Sequence, residues 1–462
     1  MPNIGYPRTA MRIRKTRRVT ARYKWDRLRV SFWFAPVVMS LVAMLLVWVM
    51  YWVDDRIHVE TLQGSHLILS GTPAELRTML VGMATTTLAT AGVVFTLLTL
   101  PLSTVAAQYG SRLLRVFLGD RTTQLVLGMF AATFVYCLAA ATSMPVVKVH
   151  PDSPQITATV GMFLMLGTFA SLVVLVQHIS TMLQAPNIAA AAGAELWEVI
   201  CAEIPDEISS TDGRESRFDS RPDQQLEIDG YAVQVRRTGY IQYIDPEIML
   251  TLAREKNLVI RLLRKPGQFI QRGMSVAMIW PADRANEVDQ DIRHAFQIGN
   301  GRTPTQDVAY AVNQLVEMAL RAMSPAINDP YTAMTCLDYI GEGLARFIRQ
   351  GEKNSRFYDS DCRLCLISEP VTFDELLSTA FDMLRHCSCD NAAVLQHMLA
   401  VFDAISQEAC SAKARKELLR HVNLVLVESQ AGRLIEQDRQ LIQRRGSALQ
   451  TKLADRERQI SQ

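Results

Sequence analysis

The stretch Thr78-Met-Leu-Val-Gly-Met-Ala-Thr-Thr-Thr-Leu-Ala-Thr-Ala-Gly-Val-Val-Phe-Thr-Leu-Leu-Thr-Leu-Pro-Leu-Ser103 is apolar enough to cross a bilayer, and its small residues share one side. Thr78, Gly82, Thr85, Ala89, Gly92, Thr96, Thr99, Ser103, Ala106 and Gly110 recur at alternating steps of four and three. That is the spacing of one helix face with a seven-residue repeat. Leu80, Leu88, Val94, Phe95 and Leu98 fall on the other side of the wheel. In a membrane helix such a face admits a second helix at close range or lines a polar path. A helix from Thr78 to Gly110 would be about 48 Å long, against a hydrocarbon core of about 30 Å, so it must tilt, bend or project from the bilayer. Pro101 is a place to bend, since it cannot donate to the Leu97 carbonyl and crowds it. Thr96, Thr99 or Ser103 could satisfy the freed group.

Three further apolar segments, at residues 32–52, 125–144 and 156–176, have the length of about twenty residues that a spanning helix needs. Trp33, Trp48, Tyr51 and Trp52 flank the first as interfacial anchors. The first segment is too long for a signal-peptide core and is followed by Asp54-Asp55 rather than a small-residue cleavage site, so it is expected to stay as an anchor. The loop basic residues predict orientation. Ten Lys or Arg precede the first span against the single acid Asp26, and Arg112, Arg115 and Arg121 lie between the second and third. Both termini are therefore expected in the cytoplasm of a bacterium, with the protein in the inner membrane. The basic arm is expected against anionic lipid headgroups, each charge contributing about 1 kcal/mol near the surface. Nothing nearby supplies a nucleic-acid recognition module, so no nucleic-acid partner is expected.

The fold class that follows is a polytopic α-helical membrane protein with four transmembrane helices and a cytoplasmic α+β domain, which holds a small β-rich module and a helical bundle. The expected boundaries are a basic arm at 1–30, the four-helix transmembrane domain at 31–184, and a helix with a polar linker at 185–229. The β-rich module follows at 230–285, the helical domain at 286–445 and a charged tail at 446–462. Asp245-Pro246 and Asp329-Pro330 both read as an N-cap followed by proline at the first helical position.

Eight cysteines raise a metal site, with Cys362-x-x-Cys365 ahead of His386, Cys387 and Cys389. Residues 362–367 read as a strand, however, which puts Cys362 and Cys365 on opposite faces. Structural thiols are expected, with no metal and no cofactor. Arg302, Gln306, Asp307, Asn328 and Asp329, with Thr303, make the densest polar constellation. It reads either as helix capping or as a ligand or cation site where two helix starts converge. His178 closes the fourth span beside Gln177 and Ser180, as an interfacial polar residue or a pH-responsive one.

Several segments resemble one bacterial family of predicted membrane proteins, domain-of-unknown-function family 2254. In the membrane half the matching residues are Ala91-Gly-Val-Val-Phe-Thr96, Gln108-Tyr-Gly-Ser-Arg-Leu-Leu-Arg115, Asp120-Arg121, Gln124, Leu127-Gly128 and Thr133-Phe-Val-Tyr-Cys137. Later come Gly239-Tyr-Ile-Gln-Tyr-Ile-Asp245, Gln306-Asp307 and Arg321-Ala-Met-Ser-Pro-Ala-Ile-Asn-Asp-Pro330. The resemblance implies four spans plus a cytoplasmic domain and names no reaction. It also implies a histidine pair where this chain has Gln177-His178.

No phosphate-binding glycine loop, His-Glu-x-x-His helix or Gly-x-Ser-x-Gly elbow occurs, so an enzyme is not expected. The leading expectation is a homo-oligomeric pore lined by Thr78 to Ser103. Arg112 and Arg115 would form a positive cytoplasmic mouth that favours anions, and the cytoplasmic domain would assemble or gate the pore. The alternative is a membrane-anchored sensor or scaffold whose cytoplasmic domain binds a ligand or partner.

Overall fold

The computed structural model describes residues 33–56, 69, 71–108, 120–143, 155–202, 226–351, 355–359 and 363–460. The basic arm, Arg112, Arg115, Gly110, Cys362 and most of the polar linker lie outside the described residues. The chain divides after Asn187 into two compact units.

Among its described residues the first unit contains four helices long and apolar enough to cross a membrane: α1 (Phe34–Arg56), α2 (Pro73–Gln108), α3 (Arg121–Ser143) and α4 (Gln155–Met182). They fall where hydropathy placed them. Because lipid tails are as apolar as leucine, close packing and hydrogen bonds, rather than escape from water, hold such a bundle. Helix α3 is central and packs against the other three. Two apolar clusters fill the bundle. One joins Val47, Leu80, Met83, Tyr136, Ala140 and Ala158. The other joins Val94, Leu98, Val126, Phe130 and Leu175. Small residues set the approach, for a Cβ on Gly161 would come within 2.9 Å of Leu80 Cδ2.

Hydrogen bonds then fix the register. Thr133 and Thr168 join their hydroxyls at 2.7 Å between α3 and α4. The Tyr136 hydroxyl donates to the Thr157 carbonyl at 2.9 Å. At the end of α1, the Asp54 carboxylate accepts from the Ile156 and Thr157 amides, both at 2.9 Å, and from the Thr157 hydroxyl. A residue of the first span thus caps the fourth.

The second unit opens with α5 (Ala185–Ala202), which begins just before the division, and continues through two sheets and a set of helices. Its strands and interleaved helices are β1 (Tyr231–Gln234), β2 (Gly239–Ile244), α6 (Pro246–Lys256), β3 (Val259–Leu262), β4 (Phe269–Ile270), β5 (Ser275–Trp280), α7 (Ala285–Ala295) and β6 (Phe296–Gly299). Then come α8 (Val308–Ala322), α9 (Pro330–Arg349), β7 (Arg356–Tyr358), β8 (Leu364–Ile367), α10 (Phe373–Cys387), α11 (Ala392–Glu408), α12 (Ala412–Ala431) and α13 (Glu436–Ile460). The larger sheet has the order β1-β5-β3-β8-β7 and the smaller β4-β2-β6. Among the described residues only the β3–β8 pairing, Ile260 opposite Leu366, is parallel. The shared core includes Val233, Ile241, Met249, Ile260, Val276, Ile279, Val288 and Leu366.

Two expected boundaries move. The β-rich module is not confined to 230–285, because it takes β6 from just beyond and the β7–β8 hairpin from far downstream. Leu364–Ile367 is the strand expected within 362–367, and it is buried on both faces, but no local signal shows that it pairs with β3. Residues 446–460 of the expected charged tail belong to α13, which begins at Glu436. Gly446 packs on Leu426, and Leu449 and Leu453 are buried. This sparse stripe is easily lost among the charges around it.

Candidate functional site: the open face of the second membrane helix

Helix α2 starts on a reciprocal cap, with the Thr72 amide donating to Glu75 Oε2 at 2.8 Å and the Glu75 amide to Thr72 Oγ1 at 3.4 Å. It runs 36 residues, about 54 Å, and passes through Pro101 without ending. Leu76, Leu80, Met83, Ala84, Val94 and Leu98 face the bundle. Thr78, Gly82, Thr85, Ala89, Gly92, Thr96, Thr99 and Ser103 are all exposed on the opposite side. A Cβ on Gly82 or Gly92 would meet nothing within 4 Å. The expected opposite face is only partly inward, since Leu88 and Phe95 are exposed beside the small seam.

The other spans expose a different surface. Helix α1 shows Val37, Leu41, Leu45 and Trp48, and α4 shows Phe163, Leu166, Phe169 and Val173, which suits acyl chains. On α2 the seam threonines donate their hydroxyl hydrogens back to their own helix. Thr78 donates to Ala74 O and Thr85 to Val81 O, each at 2.9 Å. Thr96 donates to Gly92 O and Thr99 to Phe95 O, each at 3.1 Å. With the hydrogen committed, each oxygen has only lone pairs to offer outward. The seam is therefore a line of acceptors. Arg112 and Arg115, the expected mouth, lie outside the described residues.

The polar constellation of the second unit is split. Asp307 caps α8, accepting from the Tyr310 amide at 2.9 Å, and forms a two-point pair with Arg302, Nε to Oδ2 at 2.8 Å and Nη2 to Oδ1 at 2.9 Å. Gly267, at φ +86°, leaves that carboxylate the space a Cβ would fill. Gln306 pairs with the Ile244 backbone, accepting at 2.8 Å and donating at 3.0 Å. Asp329 caps α9 through the Thr332 amide at 3.1 Å, after Asn328 turns the chain at φ +49°. The Asp329 amide bonds to Ala322 O at 2.8 Å, at the far end of α8 from Asp307. The two helix starts are thus separated by about 22 Å of α8 and do not converge. These side chains serve as caps and braces. Among the described residues no three His, Cys, Asp or Glu side chains gather as a metal set.

His178 stands 2.9 Å from Asp120 Oδ2, across the ends of α4 and α3. Neither this partner nor the Asp54 cap of α4 was foreseen from the sequence. Each links residues 58 or 102 positions apart, and no spacing rule reaches that far.

Comparison with known proteins agrees with this architecture. A family described as predicted membrane proteins, domain-of-unknown-function family 2254, matches residues 29–404. Uncharacterized proteins of Mycobacterium bovis and of two strains of Mycobacterium tuberculosis are each 25% identical over 385 residues, covering 81% of this chain and 72% of theirs. No solved structure matches. With four membrane-length helices and a family match over most of its length, the chain belongs to this family of predicted membrane proteins.

Proposed function

We propose that the protein is an oligomeric pore of the bacterial inner membrane, with copies of α2 around the axis and the second unit, on the cytoplasmic side, assembling or gating it. The observation that supports this is the open face of α2. Eight small or hydroxylated residues face away from the protomer, while the outward faces of α1 and α4 are bulky and apolar. Four helices enclose no wet path alone, so several protomers are required. The basic arm would hold the assembly against anionic headgroups.

The committed hydroxyl hydrogens refine the solute. A ring of outward lone pairs replaces part of the hydration of a cation, or accepts from water, and gives an anion nothing. Arg112 and Arg115 would oppose this at the mouth. Charges in an aqueous mouth are screened within about 8 Å at physiological salt, whereas the hydroxyl ring acts at contact distance. Cations are therefore the expected permeant species, and the reversal potential across reconstituted bilayers under a salt gradient should shift toward the cation value.

Particle symmetry in lipid, with the position of α2 relative to the axis, tests the reading. An oligomer with Thr85 to Thr99 at the axis supports it, and Thr96→Leu should then block flux while assembly persists. A monomer overturns it. The second reading, a membrane-anchored sensor or scaffold, draws on the separate core of the second unit. It predicts ligand-dependent stabilisation of residues 186–462 and no flux through the whole protein.

A further inference from the structure

Where α3 begins and α4 ends, one carboxylate oxygen holds two groups. Asp120 Oδ2 accepts from the Thr123 amide at 2.7 Å, capping α3, and lies 2.9 Å from His178 Nε2 of α4. The side chains of His178 and Asp120 are 29% and 15% exposed, so water reaches the pair only at its edge. Among the described residues, helix α3 adds Arg121, which is exposed, and the parts of α1 and α2 at this end, residues 34–40 and 101–108, contain no titratable side chain.

The adjoining turns lead to the seam helix. Leu172, Leu175 and Ile179 of α4 and Val126, Leu127 and Phe130 of α3 form one apolar cluster with Val94 and Leu98 of α2. Thr96 and Thr99 leave the same turns of α2 on its open side. Asp120 and His178 therefore tie together the two helices against which this part of the seam is seated.

We propose that the Asp120–His178 pair is a proton-responsive clasp that sets how firmly the Thr96–Thr99 stretch of α2 is held by α3 and α4. Histidine is the side chain that ordinarily changes charge between about pH 5 and 8. With neutral imidazole, the contact is a hydrogen bond from Nε2–H to the carboxylate. With imidazolium it has charge on both partners and is strengthened accordingly. Acidification tightens the α3–α4 junction and alkalinisation loosens it. The structural part stands alone, while its effect on flux rests on the pore reading above.

The test is thermal unfolding of the full-length protein in lipid nanodiscs at about pH 8 and about pH 6, across the ordinary histidine range. Wild type is compared with Asp120→Asn, His178→Gln and the double variant. Asparagine keeps the cap and an acceptor oxygen, and glutamine keeps a neutral donor, so both variants remove only the paired charges. The expected result is a wild-type melting temperature that gains on that of every variant from the higher to the lower pH, with the double variant no worse than either single one. A wild-type pH response in either single variant overturns the clasp. In reconstituted vesicles wild-type flux should change with pH and His178→Gln flux should change less. If wild type passes nothing at any pH yet keeps its histidine-dependent stability gain, the pore reading fails and the clasp stands.

Discussion

Arg420 reveals the tautomer of its neighbour. Its Nη2 lies 3.1 Å from His421 Nε2, and a guanidinium can only donate, so Nε2 holds the lone pair and Nδ1 the proton. His421 is fully buried against Phe381 and Phe402, with Asp382 3.9 Å from Nδ1. Burial, and then the Arg420 charge, push its pKa down to about 4. The unfolded chain takes up this proton at about pH 6.5, the ordinary histidine value. Between the two values the unfolded state holds the extra proton, so this site loses stability as pH falls from about 6.5 toward about 4. His421→Leu should flatten that part of the stability curve measured by chemical denaturation, and an unchanged acid limb would show that another group governs it. Asp329 is judged at the same scale. As a cap on Thr332, Asp329→Asn should be nearly neutral and Asp329→Ala should cost about 1 kcal/mol. Loss of activity in a folded Asp329→Asn protein would instead require a role for its charge.

Among elements, two glycines of the membrane unit separate folding from assembly. Gly161 of α4 sits where an added Cβ would come 2.9 Å from Leu80 Cδ2 and 3.5 Å from the Tyr136 ring. Gly161→Val should destabilise the protomer by about 1–3 kcal/mol through overpacking. Gly82 of α2 has open space, so Gly82→Val should leave protomer unfolding unchanged and weaken any oligomer that packs on that face. Native electrophoresis beside thermal unfolding distinguishes the two effects, and a folding defect in Gly82→Val would contradict the open face. The same contrast explains what the sequence could reveal. The spans are long uninterrupted apolar runs, and the Asp245, Asp307 and Asp329 caps depend on neighbours three residues away, so both are local signals. The β7–β8 hairpin joins β3 over more than a hundred residues, and although residues 362–367 read as a strand, nothing local names its partner. The separation of Asp307 from Asp329 likewise depends on α8 standing between them. The eight seam positions from Thr78 to Ser103 could be assigned to one face from spacing alone, but not whether that face met protein, lipid or an axis.

For the whole molecule, charge is segregated along the chain. Ten bases against Asp26 give the first thirty residues a charge of +9, while the chain as a whole is +2. Residues 31–187 carry six charges of each sign, leaving −7 for the segment from Ile188 onward. Basic residues close to the first span set membrane orientation, whereas acids contribute little, so the arm should determine which side the second unit occupies. The native thiols offer a direct readout. Among the described residues Cys201, Cys387 and Cys410 are exposed, and all three lie in the second unit, while Cys137 is buried in the bundle. If both termini are cytoplasmic, a membrane-impermeant maleimide should leave the protein unlabelled in intact spheroplasts and label it after lysis. Labelling before lysis would reverse the topology. Replacing Arg12, Arg14, Lys15, Arg17, Arg18 and Arg22 with glutamine tests the cause. If the arm sets orientation, part of the population should become accessible in intact spheroplasts, and unchanged protection would shift that role to Arg112, Arg115 and Arg121.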